Sequence, residues 1–298
     1  MDYAKGAMID HSGLANARLS LEGLSVGDAF GQLFFTRSAL DCTWQDLPKG
    51  QWLWTDDTHM ALSVVDVLEM RGRIDQDLLA AAFARRFGED PYRGYAGGAV
   101  ELLTRIAGGA YWGDVSPRLF GTGSYGNGAA MRAAPIGAFF SRDPDRAARE
   151  AGLSALITHA HPEGQAGAIA VAVAAAYAAS APARAGVALL EAVAGHLEPS
   201  ATRRGIEEAM LIAPDELMVA VTRLGTGARV SAQDTVPFCL WCAAHHLHDY
   251  EQAMWVTVRG YGDCDTTCAI VGGIVALSAG AVPPRWIERR EPLPGRNR

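Results

Sequence analysis

The sequence predicts an all-α protein, and three observations carry that expectation. Apolar residues recur at helical spacing through most of the 298-residue chain. The stretch before Gly121 contains nothing that reads as a buried strand, and the remainder of the chain reads as helices. Gly23, Gly27 and Gly31 repeat every fourth residue, a spacing that strips one helix face of side chains so that another backbone can lie against it. Glycine inside a helix costs up to about 1 kcal/mol relative to alanine. Three on one face therefore point to a packing or site requirement, with Asp28 beside that face.

Taken in order, helices are expected over residues 21–31, after an unpatterned arm, and after Asp57, where Met60, Val64, Val67 and Leu68 keep the period. Residues 34–51 carry loop signals, with Asp41 and Asp46 as their only acids. Further helices are expected over 77–87, 99–107, 145–158, 163–179, 185–196, 202–213, 236–246 and 251–258. The last is an apolar run over 269–279, hydrophobic on every side and so destined for the core. Segment 165–183 is uncharged, but alanine and glycine dominate it, which suits a tightly packed internal helix better than a membrane span.

Composition narrows the class. Hydrophobic residues make up 49% and charged residues 20%, the balance of a globular chain long enough for one large core or two modest ones. A net charge of -7 argues against nucleic acid as the main partner. Five cysteines, an odd number without paired short spacings, suit a reducing compartment. Cys239 and Cys242 form the one CxxC and are expected as core thiols. The first residues show no secretory signal, so a cytoplasmic protein, active as a monomer without membrane contact, is expected.

Two stretches concentrate hard oxygen donors. Trp54-Thr55-Asp56-Asp57-Thr58-His59 precedes one predicted helix, and Gly262-Asp263-Cys264-Asp265-Thr266-Thr267 opens the apolar one. Aspartate and threonine are ordinary helix caps. Burial of the last helix, however, carries its acids inward, where unpaired carboxylates are costly unless a cation neutralises them. Brought together, the two stretches offer the carboxylate and hydroxyl oxygens that magnesium, manganese and calcium prefer, enough for two ions.

The glycine-rich stretch Gly121-Thr122-Gly123-Ser124-Tyr125-Gly126-Asn127-Gly128 could bring backbone N–H groups to a diphosphate at the start of a following helix. Its literal GxGxxG lacks the preceding strand that a dinucleotide fold demands. In Thr158-His159-Ala160-His161-Pro162 no third histidine or cysteine accompanies the HxH pair, so His159 is expected to hydrogen-bond a ligand rather than hold a metal.

Five of these segments, in this order, resemble the ADP-ribosylglycohydrolase family, the group that includes the dinitrogenase reductase-activating glycohydrolases. They are Gly27-Asp28-Ala29-Phe30-Gly31, Trp54-Thr55-Asp56-Asp57-Thr58, Gly123-Ser124-Tyr125-Gly126-Asn127-Gly128-Ala129-Ala130-Met131-Arg132, Thr158-His159 and Gly262-Asp263-Cys264-Asp265-Thr266-Thr267. The resemblance runs from about residue 18 to residue 280. It implies a single all-α domain over 1–298 with a central two-magnesium centre, manganese being a possible substitute.

The same resemblance implies Thr55, Asp56, Asp57, Asp263, Asp265 and Thr266 as metal ligands. Asp56 or Asp57 would be the catalytic base. Asp28, Gly123, Ser124, Tyr125, Gly126, Asn127 and His159 would form the ligand site. The implied reaction is hydrolysis of the glycosidic bond joining ADP-ribose to a protein side chain or related acceptor. In one place the chain departs from the family: Phe35 stands where members commonly carry a loop glutamate, with Asp41 or Asp46 as possible replacements.

Overall fold

In the computed structural model, residues 11–39, 46–180 and 186–295 are described. They form fifteen α-helices, short 3-10 turns and no extended strand; Trp52 with Arg290 and Gly126 with Ser231 make isolated bridges. In chain order the helices are α1 (His11–Gly31), α2 (Asp56–Arg71), α3 (Gln76–Glu89), α4 (Gly97–Ala107), α5 (Trp112–Val115), α6 (Ala134–Phe139) and α7 (Pro144–Leu156). They continue with α8 (Pro162–Ser180), α9 (Val187–Ala194), α10 (Ala201–Ala209), α11 (Leu217–Leu224), α12 (Ala232–His245), α13 (Tyr250–Val258), α14 (Cys264–Ala279) and α15 (Pro284–Ile287).

The all-α expectation holds, with four corrections. α1 begins ten residues before the expected start at 21, so the supposed arm is helix. α5, α6, α11 and α15 are additional to the expected helices; each is eight residues or fewer, too short for a period to show. The glycine-rich loop does not run straight into an α-helix but passes through a 3-10 turn, Asn127–Ala129, before α6 starts at Ala134. The acidic stretch at 263–267 is itself the cap and first turn of α14, five residues ahead of the apolar run.

The glycine face of α1 explains the architecture. A Cβ at Gly23 would lie 2.3 Å from the carbonyl oxygen of Gly272, one at Gly27 2.1 Å from that of Cys268, and one at Gly31 2.1 Å from that of Cys264. Going up α1 by four residues therefore means going down α14 by four, so the two helices run antiparallel with backbones in contact. The last turn of α1 is thereby set against the first turn of α14. Only glycine permits that separation, because the obstructing atoms are backbone and cannot swing away.

One continuous apolar core joins most of the helices. α14 is buried along nearly its whole length, as is α8, the alanine-rich helix. Cys239 and Cys242 are buried on α12 as free thiols. Near the site end, Phe30 meets Trp52, Trp255 and Trp286 with ring centroids 4.6–5.4 Å apart. Such offset and edge contacts stiffen a core beyond plain burial. No helix among the described residues is long and apolar enough to cross a membrane.

Candidate active site

The end of α1 is where the two acidic helix starts meet. Asp28, in the last turn of α1, is fully buried and aims its carboxylate at the start of α2. It accepts hydrogen bonds from the backbone N–H of Thr55 (2.9 and 3.1 Å) and of Thr58 (3.1 Å), and from both hydroxyls (Thr55 Oγ1 at 2.8 Å, Thr58 Oγ1 at 2.5 Å). Thr55 makes no cap bond to its own helix. Asp28 thus caps α2 from another helix, satisfying orphan N–H groups that a local residue normally serves. Sequence reasoning puts Asp28 at the ligand; the structure places it behind the cleft wall, where it acts through Thr55 and Thr58.

From that base α2 presents Asp56 and Asp57. Asp57 is buried; its Oδ2 lies 2.9 Å from Thr55 Oγ1, whose single proton it shares with Asp28, while its Oδ1 has no partner. Burial first, then the Asp265 and Asp28 carboxylates, hold the Asp57 carboxyl well above its ordinary range. Burial and repulsion from Asp28 and Asp263 push Asp56 up to about 7. At the other helix start, burial and then Asp263 raise Asp265 well above the usual value. Asp263 is raised by burial too, opposed by its hydrogen bond from Asn127 Nδ2 at 2.7 Å.

These mutual repulsions show that acids about two hundred residues apart in sequence share one space. Asp56, Asp263, Asp265 and Thr266 line one wall of a cavity of about 420 Å3. The same cavity is lined by Ser124, Gly126, Asn127, Gly128, Thr158 and His159. Of the loop residues expected at the ligand, Gly123 and Tyr125 lie outside the wall. Gly123 (φ 84°) packs on the backbone of Ala160 and His161, and the half-exposed Tyr125 ring meets the edge of His161. Gly126 and Gly128 sit directly on the His159 ring.

The donor chemistry suits a hard divalent cation: carboxylate and hydroxyl oxygens, one buried carboxylate oxygen without a partner, and several acids raised by each other's charge. No group of three or more His, Cys, Asp or Glu among the described residues surrounds a common ion position. Their oxygens are turned instead to neighbours: Asp57 to Thr55, Asp263 to Asn127, and Asp265 to the Thr266 N–H at 2.7 Å.

Several site residues escape sequence reasoning. Arg93 stacks over Trp54, 3.5 Å from the ring centroid, pairs in a two-pronged fashion with Glu291, and through its carbonyl accepts from Asp56 N at 2.7 Å. It ties the α2 start to the C-terminal segment. Phe120 and Val230, both exposed, line the cavity at φ 55° and 51°, and Tyr261, next to the acidic stretch, has φ 57°. A left-handed backbone at a bulky or branched residue stores strain of about 1–3 kcal/mol, and such residues cluster at functional clefts. Nothing in their residue types announces it. Phe35 is half exposed in the 3-10 turn after α1; Asp46 is exposed, and Asp41 lies outside the described residues.

An all-helical domain with a cleft lined by crowded carboxylates and by a glycine-rich loop has the layout of a hydrolase. The chain belongs to the ADP-ribosylglycohydrolase family, whose model matches residues 11–297, and is accordingly an enzyme acting on glycosyl bonds. It is 28% identical to the ADP-ribosylhydrolase ARH3 of Bos taurus, over 92% of this chain and 88% of that protein. It is 35% identical to the ARH3 of Xenopus tropicalis over a shorter stretch, 53% of this chain and 49% of that one. Among solved structures, an ADP-ribosylglycohydrolase-related protein complex superimposes with a TM-score of 0.69 at 27% identity, covering 94% and 93% of the two chains.

Proposed function

We propose that this enzyme hydrolyses the glycosidic bond between ADP-ribose and an acceptor, a modified protein side chain foremost, and that it does so with magnesium. The observation that carries the reading is that Asp56, Asp263 and Asp265 line one cavity together with Ser124, Gly126, Asn127, Gly128 and His159. Carboxylates, a loop with little side-chain obstruction and a neutral histidine meet in one space. Leu102, Leu119, Phe120 and Val230 supply apolar wall for a nucleoside.

Thr55, Asp56, Asp57, Asp263, Asp265 and Thr266 would hold two Mg2+ ions, or Mn2+ in their place. Bound there, such ions supply Lewis-acid polarisation of ribose hydroxyls and of an attacking water. The chain's own residues do the rest. Ser124, Gly126, Asn127 and His159 position the diphosphate side of the ligand, so that positioning accounts for much of the rate. Water attacks the anomeric carbon and gives up a proton to a carboxylate, while the bond to the acceptor breaks and the acceptor leaves with the bonding electron pair and takes up a proton, so that ADP-ribose gains the hydroxyl and the acceptor the hydrogen.

Asp56 is the better candidate for that base. It lines the cavity, where burial and then the Asp28 charge push its carboxyl up to about 7, whereas Asp57 is buried and bonded to Thr55. The test is a panel of defined arginine-linked, serine-linked and non-protein ADP-ribose conjugates, incubated with and without Mg2+ and read by mass spectrometry. Intact ADP-ribose, released only with the metal, is the expected product. AMP or ribose phosphate would identify a different two-metal hydrolase; binding of ADP-ribose without turnover would identify a reader. Unchanged turnover in the Asp56→Ala, Asp265→Ala double variant would remove the acids from the chemistry.

A further inference from the structure

Arg132 is the one fully buried cation that has no carboxylate among its hydrogen-bond partners in the described structure, and two of its three hydrogen-bonded oxygens, those of Gly128 and Thr158, belong to residues that line the cleft. Its Nη1 donates to the Gly128 carbonyl at 2.9 Å, and its Nη2 to the Ser154 carbonyl at 3.0 Å and to Thr158 Oγ1 at 2.8 Å. The face of Phe83 lies 4.6 Å below the guanidinium. Ser154 is in the last turn of α7, whose exposed carbonyls form a negative helix end that favours a cation. Burying an arginine for packing alone is costly. Here the expense is tied to one downstream contact: Thr158 Oγ1 lies 2.7 Å from Nδ1 of His159.

A guanidinium can only donate, so Thr158 Oγ1 accepts from Arg132. The hydroxyl keeps one proton, and the one acceptor it meets among the described residues is His159 Nδ1. Cooperative polarisation strengthens that second bond, because a hydroxyl that accepts from a cation becomes a better donor. We infer that Arg132 and Thr158 lock His159 as the neutral tautomer with its proton on Nε2, so that the nitrogen facing the cleft is a donor for an anionic or ether oxygen of the ligand.

The Nε2 edge is the one turned to the glycine loop. A Cβ at Gly126 or Gly128 would come 3.2 or 3.1 Å from it. Burial, with the Arg132 charge behind it, lowers His159 to about 3, so the ring enters the working pH range uncharged. In the opposite tautomer Nε2 would be a lone pair aimed at the ligand's oxygens, repelling what the cleft is built to hold. Arg132 and Thr158 are positioning residues for His159. That the oxygen belongs to ADP-ribose rests on the proposed function; the tautomer does not.

The test is nitrogen NMR of histidine-labelled protein, with His159→Gln to assign the ring. In the wild type, without ligand, His159 should show a protonated Nε2 and an unprotonated Nδ1 near neutral pH. Thr158→Val should yield a mixture of tautomers and Thr158→Ser should restore the wild-type pattern. Calorimetry should find ADP-ribose bound about tenfold more weakly by Thr158→Val, and within about twofold of wild type by Thr158→Ser. A proton on Nδ1 in the wild type, or an unaltered pattern in Thr158→Val, overturns the inference; the wild-type spectrum decides alone if the valine variant does not fold. The expected tautomers in a protein that ignores ADP-ribose would sustain the inference and overturn the proposed ligand.

Discussion

The two acidic helix starts do the same job by different means. The start of α14 is fixed by backbone: Gly31 and Gly27 let α1 touch the carbonyls of Cys264 and Cys268, and Asp263 is then held from the front by Asn127. The start of α2 is fixed by one side chain, the buried carboxylate of Asp28, with Arg93 holding the approach from outside. A glycine seam is insensitive to charge and to what the site binds. A desolvated carboxylate is not, since burial pushes Asp28 up to about 6 while its four donor groups pull it back down. The comparison separates a rigid wall from one whose order depends on protonation and ligands.

Breaking the charged side should have the largest effect. Asp28→Ala orphans two N–H groups and the Thr58 hydroxyl at the start of α2 at once, leaving the Thr55 hydroxyl only Asp57, and hydrogen bonds to a buried charge are worth about 1.5–3 kcal/mol each in context. A loss of about 3 kcal/mol in urea unfolding is expected, with turnover abolished although Asp28 does not line the cavity. If stability falls but turnover survives in the folded fraction, Asp28 is a fold residue only.

Metal and pH probe the same wall. Asp56, Asp57 and Asp265 are all raised in the folded chain, so the metal-free fold keeps protons that the unfolded chain releases. Their contribution is present below about pH 4 and is lost as pH climbs through the raised values, for Asp56 near 7. Metal-free thermal stability should therefore fall between pH 5 and pH 8. Magnesium binds the ionised acids, so its stabilisation should grow over the same interval, reaching about 2.7 kcal/mol at a hundred times its dissociation constant. Calorimetric scans with EDTA or Mg2+ at several pH values read both trends; a magnesium effect that shrinks as pH rises would remove the ions from this cluster.

The glycine seam should break without regard to either. In Gly27→Ala the new methyl meets a backbone oxygen at 2.1 Å, so the helices must part. Overpacking of this kind costs about 2 kcal/mol, more than the helix-propensity gain of alanine returns. The loss should be the same with EDTA or Mg2+, and a magnesium-dependent loss would show that the seam and the acids are coupled.

The same division decides how much of the molecule is legible in its sequence. The glycine spacing, the two acidic starts and the apolar α14 are local patterns, and each can be read directly. α1 reads ten residues short because Gly13, Asn16 and Ser20 weaken the signal of a stretch whose Leu14 and Ala17 nonetheless reach the core. Asp28 reads as a ligand residue because its neighbour relation to Thr55 and Thr58 spans about thirty residues and leaves no periodic trace. The same holds for Arg93 with Glu291, and for Arg132, whose burial shows only once α7 and the glycine loop are assembled around it. Strain at Phe120 and Val230 is invisible for a different reason, since left-handed backbone is ordinarily announced by glycine or asparagine.

The smallest expected effect runs against the usual direction. Asp56→Asn removes one negative charge from a wall where Asp28 and Asp263 repel it, and the amide fits the same space. Without metal, the variant should be more stable than wild type by about 1 kcal/mol, as when other functional sites are relieved of stored strain. Near pH 5, where Asp56 already carries its proton in the fold, most of that gain should vanish. With Mg2+ present the order should reverse, because the wild type gains an ion that the amide binds poorly, and turnover should be lost. Equal stability of the two proteins at pH 8 in EDTA would mean that the α2 acids do not feel their neighbours, and the contrast between the two helix starts would lose its electrostatic half.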